Sequence, residues 1–155
     1  MTRRTSLTPI ARVLVFSVIA LIAAIIGKSY AQSDMNDVKA VVTAYHAALS
    51  ALDAAKMEAL WVEDHSVMDI EPSAKSISLG WNAVKKTFET EFNAFSELKV
   101  TQADGPHIQV KGDVAWSTGI ANASWKTKAG DVVDVFEKRN GHWLLVSHVA
   151  LRVPQ

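Results

Sequence analysis

Apolar positions repeat at three- and four-residue steps in the first half of the chain and alternate in the second. Val38, Val41, Val42, Tyr45, Leu49 and Leu52 draw one stripe at helical spacing, and alanines at 40, 44, 47, 48 and 51 fill the turns with the strongest helix former. Ser33 and Asp34 stand ahead of it as capping residues, which predicts a helix starting near Met35. Asp53 opens a shorter helix with Met57, Leu60 and Trp61 inward. The period then changes: residues 65–71 read as a strand that Pro72 stops, and 73–78 as a loop. Gly80 precedes a third helix with Trp81, Val84, Phe88, Phe92 and Phe95 on one side. From Leu98 onward, β-type segments are separated by turn signals at Asp104-Gly105-Pro106, Lys111-Gly112-Asp113, Ala129-Gly130 and Asn140-Gly141. Three helices ahead of an antiparallel meander predict an α+β fold, with the helices covering one face of a curved sheet.

The turns set the register. Asn140-Gly141 favours positive φ at both positions and pairs Arg139 with His142, Phe136 with Leu145, Asp134 with Ser147 and Val133 with His148. A loop around Ala129-Gly130 sets Trp125 opposite Asp134, and the turn at Gly112-Asp113 sets Lys111 against Val114 and Ile108 against Ser117. Side chains alternate, so one face carries Ile108, Ala115, Ser117, Trp125, Asp134, Phe136, Leu145 and Ser147, and is assigned to the helix side. The opposite face carries Trp116, Val133, Val135, Leu144 and His148; it is too apolar for plain solvent and suggests a homodimer surface. A bulge in any strand swaps these faces beyond it.

Composition sharpens the picture at the N-terminus. The chain has 155 residues, with sixteen basic and sixteen acidic residues and no cysteine, which excludes disulfides, thiolate metal sites and a cysteine nucleophile. Arg3, Arg4, Arg12 and Lys28 are unopposed by any acid before Gln32; without those four, twelve basic residues face sixteen acids in the remainder. Val13 to Gly27 is uncharged, shorter than a membrane span, and is followed by Ser29-Tyr30-Ala31. Residues 1–31 are therefore read as a cleaved signal peptide and 32–155 as one domain, periplasmic or secreted; an uncleaved anchor is the alternative. Thr2-Arg3-Arg4-Thr5-Ser6-Leu7 only loosely resembles a twin-arginine signal. Balanced charge without a basic groove argues against nucleic acid, and membrane contact is expected only through the signal segment during export.

Asp134 is the anomaly of the sheet. It sits between Val132 and Phe136 on the face assigned to the interior, where a lone carboxylate costs several kcal/mol unless bonded or protonated. Either it is a satisfied structural acid, with Ser147 and Trp125 as partners, or it is kept neutral to donate to developing negative charge. Asp69 and Glu71, two apart on one strand, share a face and offer a general base. Tyr45 lies on the apolar stripe of the first helix. His46, His65, His107, His142 and His148 show no metal-site spacing, so neither metal nor cofactor is expected, and His148 is read as interface or surface. Asn122-Ala123-Ser124 matches a glycosylation sequon but falls within a strand.

The segment from Val135 to Val146, with Gly141-His142-Trp143 at its turn, resembles the closing hairpin of the SnoaL-like branch of the nuclear transport factor 2-like superfamily. Residues 40–49, continuing to Val67-Met68-Asp69, are similar to bacterial ketosteroid isomerase, as is Val133-Asp134-Val135-Phe136. The resemblance implies a cone-like roll (nuclear transport factor 2-like, cystatin-like), with Tyr45 and a protonated Asp134 as oxyanion donors and Asp69 as base. Aligned on Pro72, Glu71 takes the base position instead. Trp61, Trp81, Phe88, Trp125, Phe136 and Ser147 are expected to line the pocket. A small apolar ligand held without reaction is the first reading, and isomerase, cyclase or dehydratase chemistry the second; an assembly domain is the third.

Overall fold

In a computed structural model of the protein, residues 31–71, 76–124 and 130–152 are described. The expected signal segment, apart from Ala31, and Trp125 lie outside them. By internal contacts the chain divides into Met1–Asp34 and Met35–Gln155, and the second unit carries the fold. No helix among the described residues is long and apolar enough to cross a membrane.

Helix α1 covers residues 31–51 of the described chain and buries Val38, Val42, Tyr45 and Ala48, the stripe its spacing predicts. Residues 31–34 are already helical, so Ser33 and Asp34 lie inside α1 and do not cap it. Helix α2 (Ala54–Glu58) is capped by Asp53, whose carboxylate accepts from the Lys56 N–H at 3.0 Å. Its exit is stitched to the last strand: Val62 N–H donates to Leu145 O at 2.9 Å and Leu145 N–H to Leu60 O at 2.8 Å. Strand β1 (Met68–Ile70) is shorter than the sequence suggests, and β2 (Ser78–Leu79) occupies the end of the expected loop. Gly80, at φ 77°, turns the chain into α3 (Trp81–Ala94), which buries Val84, Phe88 and Phe92.

Strands β3 (Val100–Lys111), β4 (Val114–Ala123), β5 (Gly130–Arg139) and β6 (His142–Arg152) form the meander, and the sheet order is β2-β1-β6-β5-β4-β3. All neighbours are antiparallel except β1 and β6, which run parallel, so the sheet is mixed. The expected pairs Lys111–Val114, Ile108–Ser117, Arg139–His142 and Phe136–Leu145 are present. The signal at Asp104-Gly105-Pro106 marks register shifts inside β3, which continues through it. There the backbones crowd: a Cβ on Gly119 would lie 2.7 Å from Asp104 O.

Two registers differ from expectation. Opposite Asp134, β4 places Ser117 where Trp125 was expected. The displacement along β4 is an even number of residues, so the inward face is unchanged. On β6 the change is of the other kind. Phe136 pairs with Leu145 but Val135 with Ser147, which leaves Val146 as an extra residue. Beyond this bulge the faces exchange: Asp134 lies opposite His148, not Ser147, and His148 and Ala150 are buried. His148 is therefore an interior residue and not part of the outer surface.

Candidate functional site

The interior between α1 and the sheet is apolar at one end, where Met57, Trp61, Phe88, Phe136, Trp143 and Leu145 pack together. Toward β1 it turns polar. Asp134 and His148 are each 4% exposed, and His148 Nδ1 lies 2.7 Å from Asp134 Oδ1. The second oxygen of Asp134 accepts from Ser117 Oγ at 3.1 Å. Both oxygens of the anomalous carboxylate are thus bonded, by residues on the strands either side of it.

The parallel pairing aligns Asp69 with His148, so both side chains enter from adjacent strands on the same face. Asp69 is 5% exposed and its Oδ1 has no hydrogen-bond partner among the described residues. Glu71, half-buried at the exit of β1, brings Oε1 to 3.9 Å from His148 Nε2. The Tyr45 ring packs on the His148 ring, with centroids 4.9 Å apart. Tyr45, Asp69, Glu71 and Asp134, the four polar residues singled out in the sequence, thus gather around one histidine.

The surroundings act differently on each group. Burial pushes Asp69 up to about 7, helped by the Glu71 charge and opposed by His148. Burial alone would lower His148, but the Asp134 hydrogen bond and charge, with Glu71 and Asp69, outweigh it and hold the imidazole at about 9. Tyr45 is raised well above the ordinary phenol value, first by burial and then by the Glu71, Asp69 and Asp134 charges, so its hydroxyl keeps its proton. Burial, then Glu71 and Asp69, raise Glu91 on α3 to about 8. The site can therefore offer proton donors (Tyr45, protonated His148) and a carboxylate that changes state near neutrality (Asp69).

The resemblance implies Asp134 as an oxyanion donor; in the structure its carboxylate is engaged on both oxygens. Its two oxygens already serve His148 and Ser117, so it orients the imidazole and leaves Nε2 turned toward Glu71 Oε1, 3.9 Å away. Trp61, Trp81, Phe88 and Phe136 belong to the hydrophobic core or pack against it. Ser147 faces away from Asp134 because of the bulge. Two participants escaped the sequence reading. His148 is hidden by the bulge, although a buried acid calls for a partner and His148 is one place from the residue first assigned to it. Glu91 sits between Phe88 and Phe92 in α3, where a charged residue against an apolar stripe was the available signal.

The family model described as a SnoaL-like domain matches residues 38–150, most of the chain. The chain belongs to the SnoaL-like domain family. Among solved structures, this SnoaL-like domain is similar to a candidate dehydratase of the NTF2-like family from Streptomyces avermitilis (20% identity, TM-score 0.70, covering 80% of this chain and 99% of that one). It is similar to an NTF2-like superfamily protein from Salmonella enterica (17% identity, TM-score 0.66, 77% and 91% covered). A cystatin-like-fold protein of unknown function from Nostoc punctiforme is also similar (16% identity, TM-score 0.66, 79% and 92% covered). At these identities the likeness establishes the fold alone, the α+β arrangement that these NTF2-like and cystatin-like structures share. No curated protein matches the sequence significantly.

Proposed function

We propose that this SnoaL-like domain binds a small, mainly apolar molecule bearing a carbonyl or hydroxyl group and moves a proton on it, as an isomerase or dehydratase does. The observation that carries the reading is the buried Oδ1 of Asp69, unbonded among the described residues, on the strand position paired with His148, whose ring packs against Tyr45. Asp69 removes the proton, and Tyr45 with the Asp134-held His148 stabilises the oxygen that gains negative charge. Glu71 stands at the rim, where it is the alternative base. The dehydratase-like neighbour supports the reaction class by fold analogy only.

With a β,γ-unsaturated ketone as probe, wild-type protein should catalyse deuterium uptake from solvent, read by NMR. Asp69→Asn should slow it by roughly 10²–10⁴-fold while the fold survives. Unchanged turnover in that variant would remove Asp69 as base. If wild type is inert but apolar ligands still raise its melting temperature, the domain holds ligands without reacting with them.

We further propose that the domain acts outside the cytoplasm, after removal of residues 1–31, as a homodimer. Beyond the β6 bulge Val149 and Leu151 turn to the face opposite His148 and Ala150, joining Val114, Trp116, Val133 and Val135; Val114, Val133 and Leu151 are exposed there, and a second copy of this face is its occupant. Native mass spectrometry of exported protein should show two chains that each begin at Gln32. A retained Met1 overturns cleavage, and a monomer overturns the pairing.

A further inference from the structure

We propose that Asp69, Glu71 and His148 form a binding site for one divalent transition-metal ion. One ligand atom from each lies within 4.8 Å of the other two. The spacing along the sequence does not reveal this trio, because the acids come from β1 and its exit while the imidazole comes from β6. A tetrahedral ion bound at about 2.1 Å holds its ligand atoms about 3.4 Å apart. The 3.9 Å between His148 Nε2 and Glu71 Oε1 is close to that, and rotation of the half-buried Glu71 side chain closes the difference.

Two further observations point to a cation. Asp69 is 5% exposed, yet Oδ1 finds no donor among the described residues. A buried carboxylate oxygen is normally bonded, and a metal ion is one of the few partners that fits between it and a second acid. The other is the orientation of the imidazole, whose Nε2 proton a bound metal ion would displace. His148 Nδ1–H donates to Asp134 Oδ1 at 2.7 Å, and Asp134 is itself fixed by Ser117. A carboxylate on one ring nitrogen is the arrangement that fixes the tautomer and orientation of metal-bound histidines, leaving Nε2 as the ligand. The donor set, two carboxylates and one imidazole without a thiolate, suits Zn²⁺, Mn²⁺ or Fe²⁺. Three protein ligands leave a coordination position for water or for an oxygen of the bound molecule.

The inference uses residues of the proton-transfer site but does not depend on that reaction. Full-length protein stripped with EDTA is titrated with zinc chloride and, separately, manganese chloride by calorimetry, with melting curves in parallel. One ion per chain is expected to bind and to raise the melting temperature. Asp69→Asn and Glu71→Gln should each weaken binding by at least the 10–100-fold that typically follows loss of an outer-shell partner, and Asp134→Asn by roughly that amount. Circular dichroism confirms that each variant is folded. Absence of binding by folded wild type overturns the site. Binding that survives both Asp69→Asn and Glu71→Gln also overturns it, because the ion then sits on exposed histidines such as His65, His107 or His142. Deuterium exchange by the stripped protein is a separate readout: exchange without metal binding removes the ion and keeps the base, whereas metal binding without exchange keeps the ion and removes the base.

Discussion

Asp134→Ala is expected to destabilise the domain by about 3–5 kcal/mol, the usual result of breaking a buried charge pair from one side. The loss goes beyond one hydrogen bond. His148, 4% exposed, would keep a buried ring nitrogen with no acceptor, and the Ser117 hydroxyl would lose its partner as well. Asp134→Asn separates the two contributions. The amide oxygen can still accept from His148 Nδ1 but brings no charge, so the cost should fall to about 1–3 kcal/mol. Urea denaturation of both variants measures this, since a shift in midpoint at constant slope reads stability directly. Equal midpoints for wild type and Asp134→Ala would show that the carboxylate is solvated and that the pair is not the centre of the site.

A loss of similar size, from a different cause, is expected for Phe136→Ala. Phe136 is fully buried and the largest such side chain, packed with Leu145 and Trp143 beneath the helices. Removing its ring takes away both the transfer free energy and the surrounding contacts, at about 3–5 kcal/mol. At roughly 3 °C per kcal/mol for a chain of this size, the melting temperature should drop by about 10 °C or more. Phe136 is two residues from Asp134 on the same inward face of β5, so the cavity also loosens the strand that positions the acid. A drop of only a few degrees would mean that neighbouring side chains collapse into the space.

Much of this architecture is written in short-range pattern. The stripe from Val38 to Leu52 can bury its apolar side only as a helix, and Asn140-Gly141 admits few alternatives to a tight hairpin. The pairing of β4 with β5 was harder to read. The small residues Ser117, Gly119, Ala121 and Ala123 offer no large side chain to fix one register over another two residues away. Strand β1 finds its parallel neighbour almost eighty positions along the chain, a contact that no local rule specifies. At the site, the acids and Tyr45 were legible because charge or hydroxyl on an apolar face is conspicuous. His148 was not, because a single extra residue at Val146 reverses which side chain points inward, and nothing about valine announces a bulge.

The parallel ladder between β1 and β6 also bears on how the pocket moves. Asp69 and His148 are Cα partners across that ladder, so their spacing is held by main-chain bonding and not by the seating of any helix. A shift of α1 or α3 against the sheet carries the Tyr45 ring or Glu91 with it, while acid and imidazole keep their distance. The groups that ride on the helices and the pair that the ladder clamps are thereby mechanically separate.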